Sequence, residues 1–136
     1  MKEFANLFGY MGKTIGLGEK KNETMKLGNR QFSVNANSKC YQLYFGKVLA
    51  SEFQPYKRAC LYFSEVTRKV FLIVSNDERC EELKPNNDGT VRIYSRDLAI
   101  NLYGFFDKKK GERLKLNLSE NMSYRQEFAT YEITEE

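Results

Sequence analysis

Leu114, Leu116 and Leu118 alternate with Lys115 and Asn117 in the stretch from Arg113 to Leu118. Side chains of a strand point to opposite faces in turn, so this period of two specifies a strand with one dry face and one wet face. Such a strand needs neighbours on both edges and a cover for its leucines. The rest of the chain must supply them.

Residues 32–35, Phe-Ser-Val-Asn, alternate in the same way and predict a short strand. Asn37 or Ser38 then offers a side-chain oxygen to first-turn amides, which predicts a helix over about Lys39 to Phe53 ended by Gln54-Pro55. Its buried stripe would be Cys40, Leu43, Tyr44, the stem of Lys47, Val48 and Phe53. Next comes a strand with Cys60, Tyr62 and Ser64 facing opposite Leu61 and Phe63, and a turn at Glu65–Arg68. Lys69–Val74 is almost wholly apolar and reads as a central strand covered on both faces.

Asn76–Gly89 is polar and closes on Pro85-Asn86-Asn87-Asp88-Gly89, a turn or linker signal. After it the order begins again. Thr90–Tyr94 reads as a strand, Ser95 as a cap, and Arg96–Phe106 as a helix burying Leu98, Leu102 and Phe105. The leucine strand follows, and Glu127–Ile133 completes the series.

Two pseudo-repeats, 32–75 and 90–133, each read strand, capped helix, strand, turn, strand. Ser38-Lys39 echoes Ser95-Arg96, Leu43-Tyr44-Phe45-Gly46 echoes Leu102-Tyr103-Gly104, and Leu61–Glu65 echoes Leu116–Glu120. One copy has too little core and too many open edges to stand alone. The expected fold is therefore α+β, with internally duplicated β-α-β-β units forming a compact antiparallel sheet or swapped-hairpin-like barrel. Residues 31–136 would form that single domain and residues 1–30 an N-terminal helix and arm, in which Phe4, Leu7, Phe8 and Met11 share one helical face.

The run Val91-Arg92-Ile93-Tyr94-Ser95-Arg96-Asp97-Leu98, with Gly111-Glu112-Arg113-Leu114-Lys115-Leu116 after it, resembles the swapped-hairpin barrels of AbrB-like transcription factors and related small prophage proteins. The resemblance implies a barrel built by two chains, hence a homodimer. It also implies backbone contacts to DNA from exposed basic residues, for which Arg92, Arg96 and Arg113 are the matching positions.

Chemistry is constrained mainly by what is missing. The 136 residues include no histidine, which removes the commonest general base, the imidazole ligand and every histidine-dependent triad. Gly9–Thr14 ends like a phosphate loop, but Leu7 stands where its first glycine belongs and no strand precedes it. Gly16-Leu17-Gly18 lacks the third glycine of a dinucleotide loop. Asp77, Glu78, Glu81 and Glu82 lack the alternation of a calcium loop and read as solvated charge. Cys40, Cys60 and Cys80 lie twenty residues apart and read as free thiols, the first two at buried positions and Cys80 more exposed. No enzyme, metal or cofactor is expected.

With 41 % hydrophobic and 29 % charged residues the chain has both a core and a wettable surface. It has no run of 18 apolar residues and no signal-like N-terminus, so the expected location is the cytoplasm, with no membrane partner. The net charge of +4 arises mostly before residue 31, where six basic and three acidic groups fall. Nucleic-acid binding at so small a surplus requires folding to collect the cations on one face. The candidates are Arg92, Arg96, Lys108, Lys109, Lys110, Arg113 and Lys115, in a wider basic set with Lys57-Arg58 and Arg68-Lys69, and Tyr41, Tyr56, Tyr62, Tyr94 and Tyr103 are available for hydrogen bonds or stacking. Two non-catalytic readings stay open: a DNA-binding regulatory protein, or a phage or mobile-element protein that inhibits a host protein complex through Phe4, Leu7, Phe8 and Met11.

Overall fold

A computed structural model describes residues 27–135, so the expected helix and arm before them, including Phe4, Leu7, Phe8 and Met11, lie outside the described residues. Nine strands and two helices follow in chain order. They are β1 (Gln31–Asn37), β2 (Cys40–Phe45), α1 (Lys47–Phe53), β3 (Arg58–Ser64), β4 (Lys69–Ser75), β5 (Glu81–Glu82), β6 (Lys84–Pro85), β7 (Val91–Tyr94), α2 (Arg96–Phe105), β8 (Leu114–Leu118) and β9 (Phe128–Glu135). All pair antiparallel in one sheet ordered β5-β3-β4-β9-β8-β1-β2-β7-β6.

The two ends of that order are neighbours in the chain. β5 pairs with β3, β6 pairs with β7, and only Leu83 stands between them. Residues 81–85 thus form a strap that brings the sheet nearly closed into a barrel. Leu83 turns inward, 7 % exposed, while its amide donates to the Lys57 carbonyl oxygen at 2.9 Å. Pro85 fits the strap because it has no amide hydrogen to leave unpaired.

Treating the strap as one strand equivalent to β1 reveals an exchange symmetry. Swapping β1 with the strap, β2 with β7, β3 with β8 and β4 with β9 leaves the set of pairings unchanged. Each half is thus a ββαββ unit, and the units interleave: β1 pairs with β8, β3 with the strap, β2 with β7 and β4 with β9. One chain supplies both halves of the barrel.

The interior follows the period-two pattern. Phe32, Val34, Leu43, Phe45, Leu72, Ile93 and Leu116 are fully buried, and Leu114 and Leu118 join them as the alternation predicts. Phe45 stacks on Phe32 with centroids 4.8 Å apart and meets Phe53 of α1 edge-on at 5.1 Å; Phe53 in turn meets Tyr131 of β9 at 5.5 Å. At the other end of the β1–β2 hairpin lies α2, which buries Leu98, Ala99, Leu102 and Tyr103. The Tyr103 hydroxyl lies 3.0 Å from the Val34 carbonyl oxygen. Ser95 caps α2 as expected, accepting from the Leu98 amide at 3.1 Å.

Several sequence expectations are corrected. No helix runs from Lys39: Cys40–Phe45 is strand, and only Lys47–Phe53 is helical. The Asn37 Oδ1 accepts from the Lys39 and Cys40 amides, each at 2.9 Å, so the chemistry read as a helix cap closes a hairpin instead. Lys47 and Val48 are exposed, and Leu49 with Phe53 forms the buried side of α1. β4 is packed on one face only, with Val70, Leu72 and Val74 inward, because a single-layer barrel gives each strand one dry side. Asn76–Gly89 carries the strap as well as the turn. Phe105 is 39 % exposed rather than buried, and all three cysteines are half-buried free thiols. Of the internal echoes, Leu61–Glu65 and Leu116–Glu120 both end the third strand of their unit. The other two pair a hairpin turn or strand with a helix.

Ser33 is 1 % exposed, and its hydroxyl has no hydrogen-bond partner among the described residues. Leaving a buried hydroxyl unpaired is costly, so Ser33→Ala is expected to raise stability by up to about 1 kcal/mol. A urea titration of both proteins checks the direction.

Candidate nucleic-acid interface

Charge is segregated between the two sides of the barrel. β6, β7, β2, β1 and β8 are neighbours in the sheet and contain Lys84, Arg92 and Lys115 but no Asp or Glu. β5, β3, β4 and β9 contain Glu81, Glu82, Glu132 and Glu135 against Arg58 and Lys69.

Directly opposed residues of paired strands share a face. The register places Lys84 opposite Arg92, Arg92 opposite Tyr44, Tyr44 opposite Ser33 and Ser33 opposite Lys115, a row of five residues across five strands on the side away from the core, interrupted at Ser33, which is buried. Strands lie about 4.8 Å apart, so Arg92 and Lys115 stand about 14 Å apart along the sheet.

Arg92 is fixed in place. Its guanidinium lies 4.7 Å from the Tyr44 ring centroid and its Nη1 donates to the Gln42 Oε1 at 2.9 Å. At the rim, Tyr41 gathers two more cations: Arg96 lies 5.6 Å and Lys110 5.5 Å from its ring centroid. Lys110, with Arg96 beside it, holds the Tyr41 hydroxyl below its ordinary pKa. Arg96 also occupies the first residue of α2, where the helix dipole disfavours a cation by a few tenths of a kcal/mol. Local helix stability therefore does not account for a cation there.

Of the seven basic residues expected at the site, Arg92 lies on Tyr44, on the outward side of β2, whereas Arg96 and Lys110 lie on Tyr41, whose partner Ala36 faces the core, so the structure separates them into two groups. Lys108, Arg113 and Lys115 form a further group, lining a shallow cleft of about 380 Å³ that also contains Glu135. The Lys108 Nζ lies 3.7 Å from the Glu135 carboxylate, so this group is partly neutralised. Lys109 is exposed, and its backbone amide donates to the Glu112 Oε1 at 2.8 Å. Sequence reasoning missed Lys84, whose Nζ lies 3.4 Å from the Glu82 carboxylate. Nothing in its polar surroundings signals that it joins a strand.

Two other features compete for attention. A cavity of about 650 Å³ lies between α1, the strap and the 86–90 turn, with Lys47, Arg58 and Glu82 among its lining residues. An exposed aromatic group forms where Phe63 packs against Phe105 at 5.7 Å and Phe105 against Phe106 at 4.9 Å. Among the described residues no cluster of His, Cys, Asp or Glu is arranged to hold a metal ion, and no helix is long and apolar enough to cross a membrane. Comparison with protein-family models, curated proteins and solved structures finds no match to this chain.

Proposed function

We propose that this chain is a non-catalytic, DNA-binding regulatory protein that sets the basic residues of the β6-β7-β2-β1-β8 side and its rim against the duplex backbone. The observation that supports the reading is that three cations are held against rings, Arg92 on Tyr44 at the outward side of the sheet and Arg96 with Lys110 on Tyr41 at the rim, near five neighbouring strands whose sequences contain no Asp or Glu. Cations held against rings lose little further freedom on meeting phosphates. The likeness of residues 91–98 and 111–116 to AbrB-like transcription factors supports the same assignment.

Fluorescence anisotropy with labelled double-stranded and single-stranded DNA and with RNA, titrated over a range of salt, tests it. Three cations, Arg92, Arg96 and Lys110, give an expected log–log salt slope of about −2.7 on duplex DNA, from about −0.9 per neutralised phosphate. Absence of saturable binding at low salt overturns the reading.

A protein partner is the second reading, favoured by the exposed Phe63, Phe105 and Val66, the last of these 94 % exposed. It applies to a phage or mobile-element protein that inhibits a host complex, and it predicts that binding is lost on Phe105→Ser while salt has little effect.

A further inference from the structure

The β3–β5 ladder pairs Arg58 with Glu82 and Ala59 with Glu81. One step further along the same register sets Cys60 directly opposite Cys80. The Leu83 amide bonds to the Lys57 carbonyl oxygen, a bond that flanks Arg58 and Glu82 and makes them a non-hydrogen-bonded pair. Alternation then makes Cys60 and Cys80 a non-hydrogen-bonded pair, consistent with the Cys80 amide turning away to the Asp77 carbonyl oxygen at 3.0 Å. In such a pair the α-carbons lie about 4.5 Å apart with side chains on the same face, inside the roughly 4.4–6.8 Å range a disulfide spans. Both thiols line one pocket with Ile73, Asp77 and Phe128, and both are half-buried. The third thiol, Cys40, begins β2, next to the β1–β2 turn.

We propose that Cys60 and Cys80 are a thiol-modification site that closes to an intramolecular disulfide on exposure to a low-molecular-weight disulfide such as oxidised glutathione. The Cys80 thiolate attacks one sulfur of oxidised glutathione, forming a mixed disulfide and releasing one glutathione thiolate. The Cys60 thiolate then attacks the Cys80 sulfur, forming the protein disulfide and releasing the second. The two protein thiols lose two protons and two electrons, which appear in two molecules of reduced glutathione. The order follows from burial, which with the Cys80 neighbour pushes the Cys60 thiol up to about 12 and makes it the weaker first nucleophile.

The bond has a defined mechanical effect. Cys80 immediately precedes the strap, and Glu82, Leu83 and Pro85 of the strap also wall the cavity beside α1. Closing the disulfide staples the barrel's closing element to β3.

The test treats the full chain with oxidised glutathione, caps remaining thiols with an alkylating agent and maps the peptides without reduction. The expected result is one alkylated cysteine, Cys40, with the Cys60 and Cys80 peptides joined, slower amide exchange at Leu83, and a melting temperature higher by about 5–10 °C. Cys40→Ser keeps the bond, whereas Cys60→Ser and Cys80→Ser each abolish it. Three alkylated cysteines, a lasting glutathione adduct at Cys80, a link through Cys40 or only intermolecular dimers would each overturn the proposal.

Discussion

Replacing Arg92, Arg96 and Lys110 together with Gln is expected to weaken duplex DNA binding about 100-fold at low salt and to flatten the salt slope by about 2.7. These figures follow from the loss of three phosphate contacts, each giving up a charge-assisted hydrogen bond and its released counterion. Glutamine preserves much of the stem that covers Tyr41 and Tyr44, so circular dichroism should show a folded protein and the loss reports charge. Lys69→Gln, which removes a cation from the opposite side of the barrel near Glu132, should leave affinity nearly unchanged. Equal losses from both substitutions would mean that net charge, rather than this face, drives association.

The second large effect belongs to the core. Phe45 is fully buried between Phe32 and Phe53, and through Phe53 it couples the β1–β2 hairpin to Tyr131 on the far side of the barrel. Phe45→Ala removes most of that volume from a site whose walls are strands fixed by hydrogen bonds, which leaves little scope for collapse. Such a cavity is expected to cost about 3–5 kcal/mol, a large fraction of the roughly 5–15 kcal/mol that stabilises a domain. Phe45→Leu should cost less than half as much. Guanidinium midpoints at unchanged slope give both values, and similar losses for Ala and Leu would show that the ring's volume is not what matters.

What the sequence disclosed follows from the range of the interactions concerned. Leu114, Leu116 and Leu118 alternate within one strand, and Ser95 caps a helix three residues ahead, so both features are written locally. Residues 40–44 misled because Cys40, Leu43 and Tyr44 fall at helical spacing while the same segment also alternates as a strand. Asn37 accepts two successive amides in either geometry, and only pairing with β1 and β7 decides between them. The strap was hidden for a similar reason: Glu81–Pro85 is polar and short, and its strand character comes entirely from β3 and β7. At the candidate interface, Arg92 and Arg96 lie close in sequence, whereas Lys110 reaches Tyr41 only through the fold and Lys84 enters through the strap.

The interleaving of the two halves also sets a schedule for synthesis. β1 acquires its second neighbour only when residues 114–117 have been made, and β4 waits for 128–133. At about 5–20 residues per second, the roughly eighty residues separating β1 from β8 take about 4–16 s to emerge. During that interval the described strands of the first half present edges whose native partners, β8 and β9, are not yet made, which leaves their backbone groups open to water or to other chains.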